Sequence, residues 1–215
     1  CIEDKIPHKK LLSVTGNHDQ LSSIVPNNRE QYKGYSVFQE YLLRRIREQG
    51  IPTETGPGGA YKVYVDKVSI IGLQCVDNNR KFIFPGGEQL EWLCRNLNQN
   101  DEWHIILCHA PLLEHNPQRN EGAPYLGRND ELQKIIDSHR KIIFVSGHTH
   151  VSPNNAGGCV ESIYEKQLVY INDGSVTPTE LKGEILMPAE WKDGVRMELA
   201  LWDDQVEIKT KSIQT

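Results

Sequence analysis

Four histidines of this 215-residue sequence stand close behind apolar, β-like runs. His18 follows Leu11-Leu12-Ser13-Val14, His109 follows Ile105-Ile106-Leu107, and His148 and His150 follow Ile142-Ile143-Phe144-Val145. Asn17 precedes the first of them. Imidazole nitrogen and amide oxygen together suit a borderline divalent metal such as Zn, Mn, Fe or Ni. In α/β sheets ligands bind beyond the carboxyl ends of the strands, so three such loops can converge on one point. Taken singly, each residue is ordinary: a histidine after a strand is more often a capped or half-buried side chain, and Gly-Asn and Gly-His are common turn chemistry. Their joint occurrence at strand ends sets them apart from His8, His104, His115 and His139. Those four stand in polar or helical contexts without a partner at metal-site spacing, and read as solvated or structural.

The elements that must position these residues are legible as an alternation of strands and helices. Lys10 to Thr15 reads as a short buried strand running into Gly16-Asn17-His18-Asp19. Val37 to Gln49 carries Phe38, Tyr41, Leu42 and Ile46 at helical spacing, with Gly50 as a C-terminal cap. Residues 60–75 hold two β-rich runs around Asp66-Lys67, a hairpin. Leu90, Leu93, Cys94 and Leu97 predict one face of a helix over 88–97. A buried strand then ends at His109, Leu132, Ile135 and Ile136 mark another helix, and Lys141 to Ser146 is a further buried strand. The tail is β-like over 167–175 and 196–213, with Asp203-Asp204 at a turn. This order predicts a layered α/β domain spanning residues 1–215.

Composition narrows the function. The chain is 38% apolar and 25% charged, without an uncharged run of bilayer length. A net charge of −5 disfavours long nucleic acid and anionic membranes as partners. Five scattered cysteines, Cys1, Cys75, Cys94, Cys108 and Cys159, lack CxxC spacing and read as reduced thiols, which favours the cytoplasm. Cys108 alternates away from His109 within an apolar run and reads as a small hydrophobe, not a nucleophile. The glycine-rich stretch over 55–60 lacks the lysine and the strand-to-helix context of a phosphate-binding loop.

Gly16-Asn17-His18-Asp19, His109-Ala110-Pro111 and Gly147-His148-Thr149-His150, in this order, resemble the calcineurin-like metallophosphoesterase superfamily. The segment "EQLEWL" before the strand to His109, and "INDGS" after the last motif, also look like it. The resemblance covers residues ~10 to 175. It implies a four-layer α/β/β/α sandwich, two mixed sheets flanked by helices. The family's Asp-x-His and Gly-Asp-x-x-Asp motifs do not precede Gly16, so the expectation is that the N-terminal part of the fold is absent and that the chain holds about the last two-thirds of the catalytic domain. An upstream segment or another chain would then cover the exposed sheet edge, so a homo-oligomer is compatible with the sequence.

By that resemblance the chain hydrolyses a small phosphomonoester or phosphodiester with two divalent ions (manganese, iron, zinc or nickel) about 3.5–4 Å apart and a bridging hydroxide. Asn17, His109 and His148 correspond to ligands of the second metal and His150 to a ligand of the first. His18, adjacent to a ligand and pointing away from it, is the general acid, and Asp19 orients a ligand by a hydrogen bond. The polar stretch over 114–130 reads first as a solvated loop; as a substrate wall it would offer Arg119, Tyr125 and Arg128 to the phosphate or leaving group. The alternative is a catalytically inactive fragment or scaffold that keeps the fold without a working metal centre.

Overall fold

The apolar runs at the centre of the sequence form parallel strands because both of their faces are covered. The structure is a computed structural model, and it describes residues 10–16, 39–77, 82–84, 88–97, 102–112, 114–116, 130–148, 159–172, 180–181, 184–185 and 195–212. A seven-stranded mixed sheet is its centre. β1 (Thr53–Thr55), β2 (Tyr61–Val65) and β3 (Val68–Gly72) form an antiparallel edge. β6 (His104–Cys108), β7 (Ile142–Ser146) and β9 (Leu168–Asn172) continue from β3 in parallel, and β8 (Val160–Ile163) closes the far edge antiparallel to β9. Two-residue ladders pair β4 (Val76–Asp77) with β5 (Phe82–Ile83) and β10 (Glu180–Leu181) with β11 (Glu184–Ile185). β12 (Val195–Leu201) and β13 (Val206–Ser212) form a separate antiparallel hairpin.

Strand register divides the side chains between two faces. Ile71, Ile106, Phe144 and Tyr170 line up across the parallel strands on one face, and Ile70, Ile105, Ile143 and Val169 on the other. The first face packs against helix α2 (Gln89–Asn96) through Trp92 and Leu93 and against α3 (Asp130–Asp137) through Leu132 and Ile136. The second meets Met197, Leu199, Leu201, Val206 and Ile208 of the hairpin around Trp103. At the β2 edge, Tyr61, Val63 and Ile70 pack with Leu43 and Ile46 of helix α1, residues 39–48. Full burial of each large apolar side chain is worth about 1.5–3 kcal/mol, so strands covered on both faces are selected for continuous hydrophobicity rather than alternation. The result is an α/β fold in which helices, the mixed sheet and a second, smaller sheet are stacked.

Several local expectations hold, and two are corrected. Helix α1 ends at Gly50 (φ +70°), whose N–H donates to the Arg47 carbonyl at 2.9 Å. The turn Asp66-Lys67 joins β2 to β3, with Asp66 in the left-handed region at φ +54°. On α2, however, Cys94 is exposed. The buried line is Gln89, Trp92 and Leu93, continued by Leu97, because the indole offers the larger surface to turn inward. Lys10 to Thr15 is not a strand: none of its residues joins a ladder. Side chains satisfy its backbone instead. The Gln49 amide accepts from Leu11 N–H (2.6 Å) and donates to Leu11 O (2.8 Å). Tyr61 Oη donates to Ser13 O at 3.0 Å, and Gln74 Oε1 accepts from Thr15 N–H (2.9 Å) and Thr15 Oγ1 (2.8 Å). Among the described residues no helix is long and apolar enough to cross a membrane.

Candidate functional site

The parallel strands β6 and β7 are neighbours in register, with Cys108 opposite Ser146. Whatever follows each strand therefore emerges at the same end of the sheet. His109 is the first residue after β6, and His148 is the second after β7. Their rings meet: His109 Nε2 lies 3.1 Å from His148 Nδ1, with ring centroids 5.0 Å apart and planes at 79°. Phe82 of β5 walls both rings edge-on, 5.1 Å from His148 and 6.1 Å from His109 between centroids.

Backbone geometry explains how the second ring is aimed. His148 sits at φ +68°, a left-handed conformation that costs a non-glycine residue about 1–2 kcal/mol and that surrounding structure must impose. Asn172, fully buried at the end of β9, supplies part of that constraint. Its Nδ2 donates to Gly147 O at 3.1 Å and to Ser146 Oγ at 3.3 Å. Its own N–H is held by Cys159 O at 2.9 Å. Gly147 N–H in turn points at His109 O at 3.4 Å, which links the two loops.

Two nitrogens each ~2.1 Å from one ion stand about 3.0–3.4 Å apart at octahedral to tetrahedral angles, so the 3.1 Å separation fits a shared divalent metal. Among the described residues no group of three or more His, Cys, Asp or Glu is placed to hold one. Asn17, His18, Asp19 and His150, and also Arg119, Tyr125 and Arg128, lie outside the described residues. The structure thus brings His109 and His148 together and leaves the remaining expected site residues unplaced.

Cys108, next to His109, is buried. Contact with the Cys75 thiol, and then burial, hold its own thiol well above the usual range, which disfavours the thiolate a nucleophile needs. His104 is buried with Nδ1 2.6 Å from Ser69 Oγ, and His139 Nδ1 lies 2.6 Å from Ile135 O; both are structural. His8 lies outside the described residues. His115 is buried too, within a set of polar partners that a sequence pattern does not reveal. A cleft of about 690 Å³ lies at the opposite end of the strands, between Asp66-Lys67, Trp103 and Trp202, away from the paired histidines.

Sequence reasoning missed Phe82 and Asn172. Asn172 carries a readable signal, a polar residue closing the apolar run Leu168-Val169-Tyr170-Ile171. Phe82 carries none, since it sits in a two-residue strand paired, among the described residues, with Val76-Asp77. Residues 2–152, which include His109 and His148, match the model of the calcineurin-like phosphoesterase family. No curated protein matches the chain.

Proposed function

The chain belongs to the calcineurin-like phosphoesterase family, a family of metal-dependent phosphoester hydrolases, and on that premise we propose that it hydrolyses a small phosphomonoester or phosphodiester at a two-metal centre formed around His109 and His148. The observation that supports this reading is the 3.1 Å approach of His109 Nε2 to His148 Nδ1 at the carboxyl ends of adjacent parallel strands. In the proposed centre Asn17, His109 and His148 hold one divalent ion and His150 contributes to the other, with manganese, iron, zinc or nickel as the ions. Such ions, when bound, lower the pKa of water toward neutrality and offset charge on the phosphoryl oxygens.

The chain's own residues do the rest. His109 and His148 would turn ring nitrogens toward the ion, their directions held by Phe82 and by Asn172 through Gly147. Hydrolysis forms a P–O bond to the oxygen of water, which gives up a proton to solvent, and breaks the P–O bond to the leaving alcohol, which needs a proton. His18 supplies it as general acid. Asp19 orients a neighbouring ligand by a hydrogen bond, and Arg119, Tyr125 and Arg128 contact the phosphate or leaving group. Cys75, Cys94, Cys108 and Cys159, read as reduced thiols, support a cytoplasmic setting. Acidic balance supports a small substrate over nucleic acid or an anionic membrane.

The test is metal content and turnover measured together on Mn²⁺-loaded protein, with p-nitrophenyl phosphate and bis(p-nitrophenyl) phosphate. His148→Ala is expected to lose metal and activity in parallel. His18→Ala is expected to keep its metal and lose rate by about 10²–10⁴-fold, the usual worth of a general acid. Equal metal loss in both variants would remove His18 from its role. Metal-loaded wild-type protein that turns over neither ester would overturn the hydrolase reading.

A further inference from the structure

His115 is a buried titratable side chain that the proposed hydrolysis does not use, and it lies on the same loop as His109. Three elements grip its ring. Glu161 of β8 places Oε1 2.9 Å from Nδ1, Asp137 at the end of α3 places Oδ1 3.3 Å from Nε2, and Tyr170 of β9 stacks on the ring at 3.5 Å between centroids, 6° from parallel. With a carboxylate facing each nitrogen, at least one N–H···O bond forms in either protonation form of the ring.

The carboxylates are themselves held. Tyr170 Oη donates to Asp137 Oδ1 at 2.5 Å, and Lys166 Nζ donates to the Asp137 carbonyl at 2.5 Å. Burial, and then Asp137 and Glu161, push the Tyr170 phenol far up, so it remains a donor. Glu161 uses its second oxygen as well: Oε2 accepts from Asn116 N–H at 2.7 Å. Asn116, at φ +50°, donates its Nδ2 to Tyr170 O at 3.2 Å.

The loop therefore has two fixed ends. One is the end of β6, where His109 O meets Gly147 N–H. The other is the pair His115 and Asn116, clasped by both oxygens of Glu161. Between them Ala110 and Leu112 are buried, Pro111 restricts its own φ, and His115 N–H closes a turn on Leu112 O at 3.2 Å. With Ala110, Pro111 and Leu112 buried after His109, and His115 and Asn116 buried at the far end, displacement at one end is transmitted to the other.

We infer that His115 is a positioning residue for His109: its stacked ring, gripped by Asp137 and Glu161, holds the far end of the loop and so fixes the direction of His109 Nε2 toward His148. The role toward a metal rests on the ligand reading above; the clasp on the loop does not. Two measurements on this chain separate them, hydrogen exchange of the metal-free protein and direct Mn²⁺ titration, each made on wild type, His115→Gln, Glu161→Gln and, as a control, Lys209→Ser.

In His115→Gln and Glu161→Gln the peptide over 109–116 is expected to exchange about tenfold faster, while peptides from β7 and from the β12–β13 hairpin keep wild-type rates. The Mn²⁺ dissociation constant should rise about tenfold at a temperature where both variants are fully folded, as it does when residues supporting a ligand are removed. Lys209→Ser, on the outer face of the β12–β13 hairpin and across the sheet from the clasp, is expected to stay within about twofold of wild type in each measurement. Glu161→Gln keeps the test available if His115→Gln does not fold. Uniformly faster exchange across the protein, or a mobilised loop with unchanged Mn²⁺ affinity, would overturn the inference. If wild type binds no Mn²⁺, the metal-ligand reading falls, and exchange of 109–116 alone decides whether His115 holds the loop.

Discussion

At the scale of single residues, the paired imidazoles depend on a neighbour without chemistry of its own. Phe82 presents its ring edge-on to both His109 and His148 and is almost fully buried. Phe82→Leu keeps most of the apolar volume, so unfolding stability should fall by less than about 1.5 kcal/mol. The lost ring contacts, worth about 0.5–1.5 kcal/mol each in aromatic pairs, should appear instead as weaker Mn²⁺ binding by calorimetric titration. Unchanged affinity would show that Phe82 only fills space. His109 and His148 were legible at strand ends because a single strand and its following loop are local in sequence. His115 was not, because its partners Asp137, Glu161 and Tyr170 are brought to it by α3, β8 and β9, and only the fold makes the buried set. The same locality explains Asn172, which reads as the end of a strand but whose bonds to Gly147 and Ser146 cross to another one.

At the scale of elements, the hairpin and the helices were readable from turn residues and periodicity, whereas the segment over 10–16 misled. Its apolar residues Leu12 and Val14 do face a core, as a strand's would, alongside Tyr61, Val63 and Ile46. What distinguishes it is where its hydrogen bonds go, to Gln49, Tyr61 and Gln74, and composition does not encode that. Tyr61 is the hinge of this arrangement. It lies opposite Gly72 on the same face, and its ring occupies the space a side chain there would need: a Cβ on Gly72 would stand 2.2, 2.3 and 2.8 Å from Cε1, Cζ and Oη of Tyr61. The ring is fully buried and its phenol tied to Ser13 O, so it has little freedom to yield. Gly72→Ala is expected to destabilise the protein by about 1–3 kcal/mol in urea unfolding, the usual cost of overpacking. A midpoint within error of wild type would mean that the Tyr61 contact with the segment over 10–16 is loose.

At the scale of the whole molecule, the mixed sheet needs cover on both faces, and the cover on the second face comes from the end of the chain. The hairpin alternates as a half-buried ribbon must: Met197, Leu199 and Leu201 with Val206 and Ile208 face the sheet, while Arg196, Glu198, Glu207, Lys209 and Lys211 form ion pairs on the outside. The period-two pattern made this element legible from sequence, but the pattern alone does not say which surface it covers. Trp103 answers that. It lies among Ile143, Val169 and Ile171 of the sheet and donates its indole N–H to Trp202 O at the hairpin turn, 3.1 Å away. The hairpin therefore packs into the core of the sheet, and it is expected to unfold together with it. Leu199, opposite Ile208 in the register, is the position that tests this. Leu199→Asp sets a carboxylate against the sheet without a partner and is expected to cost about 2–4 kcal/mol, lowering the urea midpoint of the single unfolding transition seen by tryptophan fluorescence and by far-UV circular dichroism alike. Lys209→Ser, on the outer face one residue along, should change stability by no more than about 0.5 kcal/mol. If Leu199→Asp left the main transition in place and released only a minor one, the hairpin would be a separate unit, and the second face of the sheet would need another source of cover.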